Sequence, residues 1–160
     1  VMTNQEYEKK LQELQTEIDE LKANKPTEYK RWRAREDDEY SFLSSAGSIG
    51  RSTEQADAVD DYRYNTGNYF FTKKEAEQHK AYLLALQTIK DDAEGFVPDW
   101  EDENQRKWYG YCNRGGKELL ISAICSSQHQ GATYFKTHDK LQHSQKVHKA
   151  EWLTVLGVEQ

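Results

Sequence analysis

Two short segments share one pattern, which limits the folds open to this chain. Residues 68–77 and 133–142 both place a Tyr-Phe pair before a Thr, and an apolar residue follows the Thr at the same spacing. Aromatic residues followed by a Thr that can cap a helix are typical of a strand-to-helix junction. Each segment also follows a predicted hairpin that opens with a Trp, Trp32 or Trp108. The pattern indicates a duplicated hairpin–strand–helix unit, although any strand-to-helix junction favours the same residue types.

A duplicated unit of this kind predicts an α+β protein with antiparallel sheet and helices on one side. We expect a first strand-and-helix unit over residues 27–98 and a second over residues 99–160, together forming one compact domain. Only 36% of the residues are apolar, but 12% are aromatic. Disordered chains lack aromatic residues, so most of this chain should fold around a core rich in aromatic side chains.

The first unit is predicted to contain three strands and a helix. Residues 29–35 and 39–45 would form a hairpin around an acidic turn, and the tyrosine-rich residues 61–71 would form a further strand. Residues 46–57 contain Ser and Gly but no large aromatic residue, which predicts a loop. A long amphipathic helix should follow the cap at Thr72.

The second unit is predicted to repeat this order. Residues 107–112 and 117–125 would form a hairpin, and its second strand, the most apolar run in the chain, should lie in the centre of the sheet. Residues 132–135 would form a short strand, and residues 137–149 the last helix. The tail, residues 152–158, is predicted to be a final strand or an apolar docking segment.

An N-terminal amphipathic helix is predicted over residues 1–26. Its apolar residues recur at alternating spacings of four and three, which is the heptad pattern of a coiled coil. Pro26 should end the helix, because the residue before a proline avoids helical geometry. The seam consists of Tyr7, Leu11, Leu14, Ile18 and Leu21. We expect a homodimer through this seam; the alternative is that the stripe packs on the chain's own domain.

The residue pattern argues against catalytic and metal-binding functions. His138, His143 and His148 are five positions apart, so an α-helix would turn each by about 140° from the last. Cys112 and Cys125 lack zinc-site spacing and fall in predicted strands, where thiols are usually inert. The glycines match neither the P-loop nor the dinucleotide fingerprint. We therefore expect no enzyme activity, no metal and no cofactor.

Clustered charges indicate binding to a macromolecule instead. The formal net charge is −6, which disfavours non-specific nucleic-acid binding, because that depends on basic surface. Two acidic clusters, in a turn and in a connector, could imitate a phosphate backbone towards a partner protein. Their members are Glu36, Asp37, Asp38, Glu39, Asp99, Glu101, Asp102 and Glu103. Residues 46–57 are a further candidate contact, and ordinary solvated surface is the alternative for all of them.

A basic stretch supports nucleic-acid binding as the alternative function. On a strand, Arg31, Arg33 and Arg35 would share one face next to Trp32. Such a row can bind phosphate or single-stranded nucleic acid, but charges are also common on ordinary sheet edges, where they prevent aggregation. Three lysines of the last predicted helix could extend the basic surface: Lys140, Lys146 and Lys149.

Four stretches carry a resemblance to known proteins: WRAR at residues 32–35, YRYNTGNYFFT at 62–72, EAE at 75–77 and WEDENQRKWY at 100–109. They resemble small, mostly uncharacterised proteins of phages and prophages of Gram-positive bacteria, over roughly residues 28–158. The resemblance carries over no catalytic residue. It implies an accessory phage protein made in the cytoplasm of the bacterial host.

Small acidic accessory proteins of phages often bind a host protein, and inhibitors of CRISPR nucleases are one such group. By this analogy we expect a protein that binds and inhibits or redirects a host macromolecule, as an anti-CRISPR or other anti-defence factor does. A structural or scaffolding phage protein is a further alternative. No membrane association is expected, because no apolar run approaches the length that spans a bilayer.

Overall fold

A computed structural model describes residues 4–23, 31–113, 115 and 118–158. The chain divides into two units, Val1–Trp32 and Arg33–Gln160. Within the described residues there are five helices and two antiparallel two-stranded sheets, the α+β class that the sequence predicts. The elements in chain order are α1 (Asn4–Ala23), β1 (Glu39–Leu43), β2 (Ile49–Thr53), α2 (Ala58–Asn65), α3 (Lys73–Asp92), β3 (Lys107–Cys112), β4 (Leu119–Ile124), α4 (His138–Val147) and α5 (Lys149–Val155).

The first sheet pairs β1 with β2, so the hairpin predicted from the sequence is wrong. Residues 31–35 form no strand, while residues 29–30 lie outside the described part of the chain. The partner of β1 comes instead from the segment predicted to be a loop, with Phe42 opposite Gly50. A Cβ added at Gly50 would lie 2.5 Å from the Phe42 ring. The ring therefore covers a strand whose own sequence has little apolar surface, and this cross-strand contact is not visible in local sequence.

The first part of the tyrosine-rich segment predicted as a strand, residues 61–65, is helical, which corrects a second prediction. The Asp57 carboxylate caps α2 by accepting hydrogen bonds from Val59 N at 2.8 Å and Asp60 N at 2.9 Å. An Asp cap and an acidic first turn favour a helix strongly enough to overcome the β-propensity of the tyrosines. The chain leaves the helix through Gly67, whose φ of 79° is accessible to glycine without strain.

A short extended stretch after Gly67 then pairs with the side of β1 that β2 does not occupy. Ser41 and Phe70 exchange both backbone hydrogen bonds at 2.9 Å. The Asn68 side chain continues the pairing, because its amide donates to Leu43 O and its carbonyl accepts from Leu43 N, both at 2.7 Å. Asn68 therefore takes the place of a backbone peptide group along the edge of β1.

The second sheet agrees more closely with the prediction. β3 and β4 pair with Lys107 opposite Ile124 and Cys112 opposite Leu119, while the predicted turn at residues 113–116 lies partly outside the described residues. Phe135 bridges to Trp108 on the far side of β3. β3 is therefore the central strand of this sheet and β4 its edge, contrary to the prediction for the apolar strand.

Local capping signals set the helices, as predicted. Thr72 Oγ1 accepts from Glu75 N at 3.1 Å, and the Glu75 carboxylate accepts from Phe71 N at 3.0 Å. Thr137 caps α4 in the same way through Lys140 N. The tail, in contrast, is α5 rather than a strand, since its buried Trp152 packs into the core and donates its indole N–H to Ser144 Oγ at 3.0 Å.

Two apolar clusters form the interior of the larger unit. One joins α3, α4, α5 and the second sheet; its buried members are Ile89, Ala93, Phe135, Leu141 and Trp152. The other, by the first sheet, is aromatic and comprises Ala34, Tyr40 and Tyr69. Gly110 lets the helices approach β3 closely, because an added Cβ would lie 2.6 Å from both Gln145 Nε2 and the Trp152 ring.

We predict that Gly110→Ala lowers the free energy of unfolding by about 1–3 kcal/mol, because the new methyl group overpacks the contact with α4 and α5. Urea denaturation followed by tryptophan fluorescence measures the change. Gly115→Ala is the matched control, since its nearest neighbour would be Asn113 Oδ1 at 4.0 Å. Equal stability of the Gly110 variant and wild type would contradict this account of the packing.

Candidate interaction surfaces

The apolar seam of α1 is exposed to solvent. Tyr7, Leu11, Leu14 and Ile18 have between 44% and 58% of their surface accessible, while the side chain of Leu21 lies outside the described part of the structure. They follow the heptad spacing along a single continuous helix. The apolar side chains of α1 therefore form an exposed stripe at heptad spacing.

The arginine row predicted on a strand is not formed, and Arg33 is bound within the domain. Its guanidinium donates through Nε to Glu54 Oε2 at 3.2 Å and through Nη2 to Glu54 Oε1 at 2.8 Å. Nη2 also lies 2.8 Å from Asp61 Oδ1. Arg31 and Arg35 are exposed, and residues 31–35 do not form the strand that was expected to align them with Arg33. The buried acceptor, 21 residues along the chain, is what sequence reasoning missed.

Two tyrosines extend this ion pair into the core. Tyr69 donates its hydroxyl to Glu54 Oε2 at 2.5 Å and accepts from Ala34 N at 3.2 Å. Its ring stacks on Tyr40 with centroids 3.9 Å apart, and Tyr40 donates to Asp60 Oδ1 at 2.5 Å. Both buried carboxylates are therefore satisfied by hydroxyl donors, which removes much of the cost of their burial.

The charge states follow from these contacts. Hydrogen bonds from Arg33 hold the pKa of Glu54 below its usual value, although burial opposes this shift. Burial would raise the pKa of Asp60, but the bond from Tyr40 and backbone N–H donors hold that pKa below its usual value too. Burial also raises the pKa of Tyr40 and of Tyr69. At neutral pH the two carboxylates are therefore ionised and the two phenols protonated, which is the state that these hydrogen bonds require.

The acidic turn, residues 36–39, is exposed on a fixed backbone. Asp37 N donates to Glu54 O, and Glu54 N donates to Asp38 O, both at 2.9 Å. Asp37 itself has a positive φ of 70°, a conformation that Asp adopts more readily than most residues. The four carboxylates at residues 36–39 therefore project from a turn that is bonded to the end of β2.

The acidic connector, residues 99–103, is anchored by a buried lysine. Lys107 is fully buried, and its ammonium donates to Asp102 O at 2.8 Å and Cys125 O at 3.1 Å. The same ammonium lies 5.2 Å from the centre of the Trp100 ring, which gives a cation–π contact. Asp99, Glu101 and Glu103 are exposed, and Asp102 is partly exposed. The connector thus holds its carboxylates at the surface, while the buried Lys107 side chain fixes its backbone at Asp102.

The three lysines predicted to extend a basic surface differ in their surroundings. Lys140 forms an ion pair with Glu94, which neutralises it. Lys146 and Lys149 are exposed and line a groove beside β4 with Gln142 and Gln145. The predicted single helix is divided into α4 and α5, so Lys146 at the end of α4 and Lys149 at the start of α5 lie together beside β4, apart from the Lys140 ion pair.

Residues 46–57 were a further candidate contact, but much of this segment has a structural role. It contains β2, the buried carboxylate of Glu54 and the capping Asp57. Its exposed residues are Ala46 and Ser48 in the turn before β2, Arg51 on β2, and residues 55–57. The Lys80 ammonium donates to the carbonyl oxygen of Gly47 at 2.6 Å. The segment therefore offers a small contact surface and not a long loop.

The remaining observations concern the class of protein. Among the residues described, no three His, Cys, Asp or Glu side chains are grouped so that they could hold a metal ion. None of the described helices is both long and apolar enough to cross a membrane. No protein-family model matches the chain, and neither a curated protein nor a solved structure matches it.

We predict that the Glu54 carboxylate makes stability depend on pH in the acid range. Its pKa is lower in the folded than in the unfolded chain, so its contribution is complete above the unfolded value of about 4.3 and is lost as the pH falls through the folded value. Glu54→Gln should cost about 1–3 kcal/mol at neutral pH and flatten the loss of stability below about pH 4.

Urea denaturation at a series of pH values measures both effects. Glu39→Gln, an exposed acidic residue with a long contact to Arg51 at 3.6 Å, is the control and should change stability little. If the Glu54 variant loses stability at low pH as steeply as wild type does, this carboxylate does not couple folding to proton binding.

Proposed function

We propose that this chain is a phage accessory protein that binds a host protein and inhibits or redirects it, as an anti-CRISPR or other anti-defence factor does. The observation that carries the proposal is the acidic connector, whose carboxylates stand exposed on a backbone fixed by the buried Lys107. Charged side chains held on a rigid support lose little conformational freedom on binding, which favours recognition. The phage resemblance gives the cellular setting.

A basic groove on the partner is the surface that the two acidic clusters would fit. The chain has a net charge of −6, and the exposed carboxylates of residues 36–39 and 99–103 are concentrated in turns. Complementary charge accelerates encounter and selects partners. A protein that normally holds nucleic acid in a positive groove would be bound in this way, and its nucleic acid would be excluded.

We further propose that α1 makes the protein a homodimer. The support is the exposed heptad stripe, which a second copy of the same helix would cover. About three heptads are close to the shortest length at which a coiled coil is stable. Two linked copies would present the acidic surfaces twice and raise the apparent affinity for a repeated or dimeric target.

We also propose that the body of the protein arose by duplication of a hairpin–strand–helix unit. In both halves a residue directly after a buried Tyr bridges to the first strand of a hairpin, Phe70 to Ser41 and Phe135 to Trp108. In both, a Thr two residues later caps the helix. These shared contacts support a common origin, although the loops between the elements differ.

Nucleic-acid binding by the basic residues is less well supported. The ion pairs of Arg33 with Glu54 and Asp61 occupy the central cation of the predicted row, and Lys140 is paired with Glu94. A scaffolding role would use the same exposed surfaces as the inhibitor. These alternatives differ from the proposal in what the protein would retain from a host lysate.

A pull-down of the tagged protein from a Gram-positive host lysate separates the alternatives. We expect a discrete host protein that stays bound after nuclease treatment and is released progressively as salt is raised. Recovery of nucleic acid alone, lost steeply with rising salt, would contradict the proposal and favour the basic residues. The chain with Leu14→Asp, compared at equal concentration, reports how much the dimer contributes.

We predict that the protein has twice the 18.7 kDa mass of one chain in light scattering, and that Leu14→Asp makes it monomeric. A charge at a seam position would have to be buried without a partner. Gln12→Asp adds the same charge outside the seam and should leave the dimer intact. A monomeric wild type, or a dimer that survives Leu14→Asp, would show that α1 does not dimerise the protein.

A further inference from the structure

The outer edge of β4 is the feature of the larger unit that the proposed function does not use. β3 has β4 on one side and Phe135 on the other. Within the part of the chain that the structure describes, β4 has β3 as its only neighbour. One side of β4 therefore carries backbone groups that no strand satisfies.

The register identifies those groups. Trp108 exchanges both its backbone hydrogen bonds with Phe135, so they point away from β4. In an antiparallel pair, directly opposite residues either bond to each other or both point outwards. Ala123 is opposite Trp108 and therefore directs its N–H and C=O to the open side. The same alternation directs Ile121 and Leu119 outwards, and no described residue bonds to the outward groups of these three.

The other hairpin shows how an edge of this kind is protected. β2 carries Arg51 at its centre, exposed and near Glu39, and charged residues on an edge strand oppose the addition of another strand. β4, in contrast, has the sequence Leu-Leu-Ile-Ser-Ala-Ile and contains no charge. The edge of β4 therefore lacks the feature that prevents strand addition at β2.

A groove runs between this edge and the last helices. Its volume is about 430 Å³, and its walls are formed by β4 on one side and by α4 and the first residue of α5 on the other. Gln145 Nε2 donates to Leu120 O at 3.1 Å, which fixes the helix beside the strand. Lys146 and Lys149 line the helix side, are exposed, and form an ion pair with no described residue. One wall of the groove thus carries the unsatisfied backbone groups of Leu119 and Ile121 and the Glu118 carboxylate, and the other carries two ammonium groups, so positive charge predominates in the lining.

We propose that this groove binds an extended, acidic peptide segment of a partner protein, which adds to β4 as a further strand. The backbone of the peptide would bond to Leu119, Ile121 and Ala123, and its carboxylates would face Lys146 and Lys149. Strand addition beside a helix uses main-chain bonds for affinity and side-chain contacts for selectivity. This surface differs from the acidic clusters, so the inference stands independently of the proposed function.

Fluorescence anisotropy with defined probes tests the proposal. The probe is a short capped peptide of alternating Val and Thr that carries Glu at one end, and its counterpart carries Lys instead. We expect saturable binding of the Glu probe, binding at least about tenfold weaker for the Lys probe, and weaker binding of the Glu probe as salt rises. Absence of saturable binding, or equal binding of both probes, would overturn the proposal.

Two variants locate the bound probe. Lys146→Glu with Lys149→Glu should weaken binding of the Glu probe about tenfold, while Lys74→Glu with Lys90→Glu on α3 is the matched charge control and should not. Ala123→Pro removes one outward N–H but none that bonds to β3, a substitution that edge strands tolerate. It should also weaken binding, whereas Ala123→Val, which keeps the N–H, should not.

Near-UV circular dichroism must show that the proline variant keeps the native fold. If it does not, two other measurements test the proposal: the probe affinity of the lysine variants, and hydrogen exchange at the Leu119, Ile121 and Ala123 amides with the probe bound. Slower exchange at these three amides supports strand addition. Probe binding that is indifferent to the lysine variants and leaves this exchange unchanged would overturn it. A dimer that Ala123→Pro dissociates would also overturn it, because a second copy would then occupy the edge.

Discussion

The buried carboxylate of Glu54 is the interaction on which the first half of the larger unit depends. It accepts hydrogen bonds from Arg33, the hydroxyl of Tyr69 and the backbone N–H of Ala56. These groups come from separate segments of the chain, because Arg33 precedes β1, Ala56 lies just before α2, and Tyr69 follows α2. With 36% apolar residues, the chain cannot fix these segments by aliphatic packing alone, so a satisfied polar network and stacked tyrosines hold them instead.

Elements with strong local signals were predictable from the sequence, and those set by distant contacts were not. The Thr caps of α3 and α4 and the apolar run of β4 are local, and each element forms where expected. β2 has a weak sequence of its own and pairs because Phe42 covers Gly50. At α2 the cap at Asp57 outweighed the β-propensity of the tyrosines.

The candidate surfaces also divide into those visible in the sequence and those that depend on tertiary contacts. Acidic turns and a heptad stripe are visible as patterns, and most of their described side chains are exposed. The role of Arg33 was not visible, because its acceptors follow only from tertiary contacts. The edge position of β4 also depends on tertiary contacts, since an apolar run predicts a central strand unless the order of its neighbours is known.

The central claim is that the fixed acidic connector recognises a partner protein, and a charge reversal tests it most directly. Glu101→Lys changes an exposed carboxylate of the connector, and Glu77→Lys makes the same change on the exposed face of α3. Quantitative mass spectrometry of nuclease-treated pull-downs would compare both with wild type. The account predicts that Glu101→Lys depletes the main host protein several-fold while Glu77→Lys retains it. Equal recovery by all three proteins would contradict the role given to the connector.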